Sequence, residues 1–296
     1  MAEQSKYYSD SEAPGWFIEA VNTPYQNHFI EVDSCKIHYQ KWDNTGNKPG
    51  LLFVSGGGAH THWWDFIAPS LLAKYNIAAI DVSGMGDSGH REVYSTNQYA
   101  KELMAVIDDA GLGDNTIIAA HSYGGHATLK AGLEYADRLG GIVVIDSAVF
   151  PPDFQRDTET MGPSFNAKKV YPDLETAMTR FKLLPPQPCE NDYIVKFIAY
   201  HSLGKVEGGY SWKFDTEFVV KKEVDELQSE IPNLKIKATV IHGENSMFFF
   251  PFFLNHMKEV YPDHVPILSL PNAAHHLFLD QPQEFVKLLD GVLETY

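Results

Sequence analysis

The chain alternates between two hydrophobic rhythms. Short unbroken apolar runs read as strands buried on both faces, and longer stretches with apolar residues three and four apart read as amphipathic helices. Residues 29–32 and 37–42 predict an opening hairpin turning at Asp33-Ser34, and 51–54, 77–82 and 142–145 predict further strands. Trp63, Trp64, Ile67, Leu71 and Tyr75 mark one face of a helix kinked at Pro69. Ser95-Thr96-Asn97-Gln98 has the form of a capping box, opening a helix with Tyr99, Leu103, Val106, Ile107 and Ala110 on its apolar face. After Asp146 the alternation lapses. Residues 149–228 are rich in proline and aromatics, with short amphipathic patterns at Leu174/Met178/Phe181 and Ile194/Phe197/Ile198/His201, and read as an inserted helical cap. Strand–helix order resumes over 236–241, 252–261 and 267–270, and a last helix starts at Pro282, where a missing N–H has no partner to lose. The expected architecture is α/β: a mostly parallel sheet flanked by helices, with its core in 1–148 and 229–296 and the helical cap in 149–228.

At 296 residues and 44% hydrophobic content, the chain has ample material for a buried core. Its formal net charge of −16 argues against nucleic acid or an anionic membrane as partner. Cys35 and Cys189 are its only cysteines, too few for a disulfide framework or a zinc constellation. The stretch from Met1 to Pro14 is polar, without the apolar run of a signal peptide or anchor, so a cytoplasmic protein is expected.

The candidate chemistry centres on Ile117-Ile118-Ala119-Ala120-His121-Ser122-Tyr123-Gly124-Gly125, where a strand pattern breaks at a serine and a helix-compatible stretch follows. This is the form of a nucleophile elbow, whose turn is too tight for large side chains two positions either side of the serine; Ala120 and Gly124 stand there. A serine hydroxyl needs an adjacent base, and the base an orienting acid. Candidate bases are His275 and its neighbour His276, on the loop between the last strand and the last helix, at the edge where open α/β sheets bind ligands. Candidate acids are Asp146 and Glu244, each following a predicted strand. Neighbouring strands are about 4.8 Å apart, so reach alone does not separate them. An oxyanion would be received by the Tyr123 N–H and by one from the glycine-rich segment 55–60, with Gly57 the choice.

Other motifs carry less. Gly84-Met85-Gly86-Asp87-Ser88-Gly89 fits G-x-G-x-x-G, but no helical periodicity follows it, against dinucleotide binding. His60, His62 and Asp65 hint at a metal, without the further ligands that metallohydrolase spacing demands. The apolar block of Phe248, Phe249, Phe250, Phe252 and Phe253 suits core packing or a pocket wall.

With these segments in this order, the chain resembles the α/β-hydrolase fold family over nearly its whole length. Leu51-Leu52-Phe53-Val54-Ser55-Gly56-Gly57-Gly58 is similar to the family's oxyanion strand and loop, and Asp81-Val82-Ser83-Gly84-Met85-Gly86-Asp87-Ser88 to its D-x-x-G-x-G-x-S loop. His275 lies at the family's histidine, with Asp280 and Pro282 downstream, so the resemblance picks it over His276. Two departures stand out. Ser55 replaces the family's usual histidine, and Gly243-Glu244-Asn245-Ser246 places a serine where the commonest acid falls in a G-x-x-D turn. The second departure moves the expected acid to Asp146, because some members, dehalogenases among them, carry it after the preceding strand. The implied order is Ser122, Asp146, His275. A serine nucleophile implies an acyl-serine route, so resemblance to epoxide hydrolases and haloalkane dehalogenases stops at the fold.

The expectation is a serine hydrolase, without cofactor or metal, cleaving carboxylic ester or related acyl bonds of small to medium hydrophobic substrates. Phe181, Phe197, Tyr200, Trp212 and Phe214 would line the pocket from the cap. A lactonase, a thioesterase, a perhydrolase or a C–C bond hydrolase would share the machinery; the last would aim Arg156 or Arg180 at Ser122. A non-catalytic receptor that keeps the pocket is the alternative of another class.

Overall fold

The computed structural model describes residues 9–42, 46–151, 169–223 and 227–296. Helix α1 (Gly15–Val21) precedes a hairpin of β1 (Tyr25–Val32) and β2 (Cys35–Trp42), which turns at Asp33 and Ser34, both in the left-handed region. There follow β3 (Gly50–Val54), β4 (Asn76–Asp81), α2 (Thr96–Asp109), β5 (Thr116–His121), α3 (Tyr123–Glu134) and β6 (Leu139–Ile145). Between β6 and the next strand of the main sheet lie α4 (Leu174–Met178), α5 (Asp192–His201), the strands β7 (Leu203–Val206) and β8 (Gly209–Trp212), and α6 (Leu227–Glu230). The chain ends with β9 (Ala238–Gly243), α7 (Pro251–Val260), β10 (Ile267–Leu270), α8 (Leu277–Asp280) and α9 (Pro282–Leu293).

Eight of these strands form one sheet, in the order β1-β2-β4-β3-β5-β6-β9-β10. The β1–β2 and β2–β4 pairs are antiparallel, and every later pair is parallel. Unbroken apolar strands follow from cover on both faces. Leu52 and Val54 of β3 pack with Tyr99 and Leu103 of α2 on one side, whereas Leu51 and Phe53 pack with Trp64 and Phe278 on the other. All parallel strands therefore discharge their chains at one edge, and the loops after β3, β5, β6, β9 and β10 gather there.

Several local expectations change. Ser95 caps α2, its hydroxyl accepting from the Gln98 backbone amide, the serine's half of the expected box. Residues 61–75 form no continuous helix. They make two short 3₁₀ turns, Thr61–Trp63 and Ala68–Leu71, the second with Pro69 in its opening turn, where the ring fits but the i−4 bond of a longer helix would be missing. The predicted all-helical insert also contains the β7–β8 hairpin, whose bend uses Gly208 and Gly209 at positive φ. Of its aromatics, Phe181, Trp212 and Phe214 line the central cavity. Phe197 instead packs edge-on against Phe17, and Tyr200 is exposed. Arg156 lies outside the described residues.

Candidate active site

Ser122 sits at φ 53, ψ −121, a strained turn between the end of β5 and the start of α3. Its amide donates to the Ile145 carbonyl (2.8 Å) and its carbonyl accepts from Gly125 (2.9 Å), so the neighbouring strand and the helix hold the bend from both sides. A Cβ on Gly124 would fall 2.5 Å from the Ser55 carbonyl oxygen, and one on Gly125 2.5 Å from the Ser147 Cβ. The glycines are thus a steric condition for bringing the elbow against the loops after β3 and β6.

The structure brings Ser122, His275 and Asp146 into one chain of hydrogen bonds. Ser122 Oγ lies 3.0 Å from His275 Nε2, and His275 Nδ1 lies 2.7 Å from Asp146 Oδ1. A carboxylate only accepts, so Nδ1 carries the proton and Nε2 presents its lone pair to the serine hydroxyl. Asp146 is 1% exposed, at φ 45 just beyond β6, and accepts from the Ser246 hydroxyl (2.7 Å) and the Gly243 amide (2.8 Å) besides the imidazole. Burial pushes its carboxyl up, and the Ser246 and Gly243 donors pull it back toward the ionised form. Burial pushes the His275 imidazole down, toward the neutral base.

Glu244 does not join this chain; its carboxylate accepts from the Asn272 amide at the surface. Ser246, at the position where the resemblance placed an acid, donates to the acid instead, a role that residue types alone did not disclose. His276 shares the cavity wall with His275 but does not meet Ser122, whose base-side partner is His275 Nε2. Gly57 and the opening residue of α3, Tyr123, flank the serine, and a Cβ on Gly57 would lie 3.6 Å from the Tyr123 Cβ and 2.9 Å from Phe218. The N-terminus of α3 adds the positive end of a helix dipole beside Ser122. Ser55 steadies the glycine loop: its hydroxyl donates to the His60 carbonyl (2.9 Å) and accepts from the Trp64 indole (3.0 Å).

The competing motifs are absorbed by packing. In the G-x-G-x-x-G segment a Cβ on Gly86 would meet the Asp81 carboxylate at 2.2 Å, and that carboxylate accepts from the Thr61 and Asp87 amides and pairs with His38. The segment is a turn wrapped on a buried acid. His62 bonds Asp65 (2.7 Å) and stacks on His201 of α5 with ring centres 3.7 Å apart, while His60 Nε2 meets the Ser202 hydroxyl. These histidines fasten the loop after β3 to the insert. Phe248 lies edge-on to the His275 ring, whereas Phe250 and Phe252 are exposed. The cavity over Ser122 is walled by Trp63, Phe181, Leu183, Trp212 and Phe214, with exposed Arg180 at its rim. Among the described residues, no helix is long and apolar enough to cross a membrane.

Comparison with known proteins agrees with this fold. The model of the alpha/beta hydrolase family matches residues 51–288. An esterase of Mycobacterium tuberculosis is 21% identical over 272 residues, covering 89% of this chain and 88% of its own. A pimeloyl-[acyl-carrier protein] methyl ester esterase of Nitrosomonas europaea is 22% identical over 254 residues, 84% of this chain and 98% of its own. Among solved structures, the thioesterase domain from a curacin biosynthetic pathway superposes with a TM-score of 0.73 at 18% identity, covering 90% of this chain and 99% of that domain.

Proposed function

Because the chain belongs to the alpha/beta hydrolase family, we propose that it is a serine hydrolase cleaving carboxylic ester or related acyl bonds of a small to medium, largely apolar molecule. The observation that carries this reading is the unbroken hydrogen-bond chain from Ser122 Oγ through His275 to Asp146. Ser122 Oγ attacks the acyl carbon while His275 Nε2 takes its proton; the same nitrogen then returns that proton to the departing alcohol. Asp146 stays ionised, holding the tautomer and stabilising the imidazolium as it forms. The Gly57 and Tyr123 amides receive the oxyanion, each such donor contributing about 3 kcal/mol to the transition state. Water then enters, is deprotonated by His275, and releases the acid from the acyl-serine by the same steps. The segment 149–228 serves as the cap, and its aromatic side chains favour an apolar acyl or alcohol group. Arg180 at the rim of the same cavity supports a second reading, an acyl substrate that ends in a carboxylate.

Labelling with a fluorophosphonate probe tests the nucleophile. The wild-type protein is expected to label and Ser122→Ala not to, with hydrolysis of aryl esters lost by at least about a thousandfold. Absence of labelling in folded wild-type protein overturns the reading in favour of a receptor that keeps the fold, and equal labelling of the variant shows that Ser122 is not the nucleophile. A panel pairing simple esters with half-esters of dicarboxylic acids separates the two substrate classes.

A further inference from the structure

We propose that His121, His275 and His276 form a binding site for a first-row transition-metal ion such as Zn²⁺ or Co²⁺, and that the ion inhibits the enzyme by occupying its base. The ion would be an inhibitor rather than a cofactor. The three imidazoles come from two places in the chain, the last residue of β5 and consecutive positions on the loop between β10 and α8. They are 1%, 3% and 2% exposed, and they line the cavity over Ser122. One ligand nitrogen from each lies within 4.8 Å of the others.

The tautomers follow from the hydrogen bonds. His121 Nε2 lies 3.0 Å from the His275 carbonyl oxygen, which only accepts, so Nε2 carries the proton and Nδ1 is left with a bare lone pair. That Nδ1 is buried without a hydrogen-bond partner among the described residues. It faces the same point beside Gly56 as the Ser122 Cβ, since a Cβ on Gly56 would lie 3.2 Å from the one and 3.1 Å from the other. His275 turns its own lone pair at Nε2 toward Ser122. Neither nitrogen of His276 has a close hydrogen-bond partner among the described residues; the Pro185 carbonyl interacts with one side of the ring, and a neutral imidazole that donates there still offers the lone pair of its other nitrogen. Buried polar atoms without partners are rare in folded proteins, and His121 Nδ1 and both His276 nitrogens share one wall of this cavity.

Neutral imidazoles suit Zn²⁺, Cu²⁺, Ni²⁺ and Co²⁺ rather than Mg²⁺ or Ca²⁺. Metal–nitrogen bonds of about 2.0–2.1 Å place tetrahedral ligands about 3.4 Å apart, so modest ring rotations close the trio around an ion and leave the fourth position to Ser122 Oγ or water. An ion held there occupies His275 Nε2, the atom that must accept the serine proton. The inhibitory consequence rests on the hydrolase reading above; the binding does not.

Titration of the full-length protein with Co²⁺ alone, followed by visible ligand-field absorption, tests the site. A tetrahedral band saturating at one equivalent and removed by a chelator is expected for wild type. In His276→Gln the apparent affinity falls by at least about tenfold; His121→Asn serves as the second variant, and far-ultraviolet circular dichroism checks that both are folded. Aryl-ester hydrolysis, referred to each protein's own metal-free rate, is expected to fall along the same isotherm. No band in wild type, or an undiminished band in both variants, refutes the site. A band without inhibition refutes the occupation of His275. Absence of esterase activity in the metal-free protein refutes the hydrolase reading and leaves the spectroscopic result to decide the site.

Discussion

Mild acidification is expected to destabilise this protein markedly. Burial holds six imidazoles below the ordinary histidine range: His60, His62, His121, His201, His275 and His276. His62 and His275 are each hydrogen-bonded to a carboxylate, Asp65 and Asp146, whose carboxyls burial pushes up. A proton entering either pair has somewhere to reside in the folded state, so these two contribute little net linkage. The other four remain neutral when folded and take up protons near pH 6.5 when unfolded. Above that pH both states are neutral and nothing is lost; below it the unfolded chain gains protons that the native state refuses, so stability falls as pH falls. Between pH 7.5 and 5.5 the four together remove about 5 kcal/mol. For a domain of this size, that corresponds to a Tm lower by about 9 °C. Burial also pushes the Glu102 and Asp280 carboxyls up, a shift that acts against the loss. Scanning fluorimetry at constant ionic strength measures the slope, and His276→Gln should shrink the drop by about a quarter. A Tm that is flat or rises between pH 7.5 and 5.5 would show that these rings accept protons without unfolding, and the account of their environment would be wrong.

Two further outcomes follow from the site. Asp146→Asn is expected to lower kcat on an aryl ester by about ten-thousandfold, because the amide favours the wrong imidazole tautomer, whereas Glu244→Gln should stay close to wild type; the reverse ranking would move the acid to Glu244. Gly124→Ala should cost about 1–3 kcal/mol in denaturant unfolding, since its methyl group would meet the Ser55 carbonyl oxygen at 2.5 Å, and unchanged stability would mean that the elbow has slack.

The sequence made the elbow legible because its constraint is local. A tight turn excludes large residues at fixed offsets, and Ala120, Gly124 and Gly125 record that exclusion directly. Strands buried on both faces were legible for the same reason, as continuous apolar runs. What resisted was decided by neighbours distant in the chain. Asp146 and Glu244 both follow strands of the same edge and reach alone does not separate them; the resemblance favours Asp146, and the fold shows it under the imidazole with Glu244 tied to Asn272. His121 and His276 look polar in the pattern, yet the fold buries both. Trp63, Ile67 and Leu71 do face the core as their spacing suggests, but the backbone between them breaks into 3₁₀ turns at Pro69. The β7–β8 hairpin had a signal, the Gly208-Gly209 pair inside a short apolar alternation, outweighed by the helical patterns on its N-terminal side.

The serine at position 246 explains how the acid can sit on β6 without disturbing the rest of the site. Strands β6 and β9 are parallel neighbours in register, with Ile145 beside Ile241, so the residues just beyond them leave the sheet side by side. A carboxylate placed after either strand can reach the same imidazole nitrogen. With Asp146 on β6, the G-x-x-D position of the resembling pattern needs no charge, and a second carboxylate there would lie against the first and raise its pKa. Ser246 removes that conflict and supplies an O–H donor to Asp146, while the Gly243 amide supplies another from the same turn. The turn after β9 thus changes from bearing the acid to solvating it. That exchange gives a buried carboxylate three donors that favour its ionised form against the cost of burial, the form that accepts from His275 Nδ1 and leaves Nε2 facing Ser122.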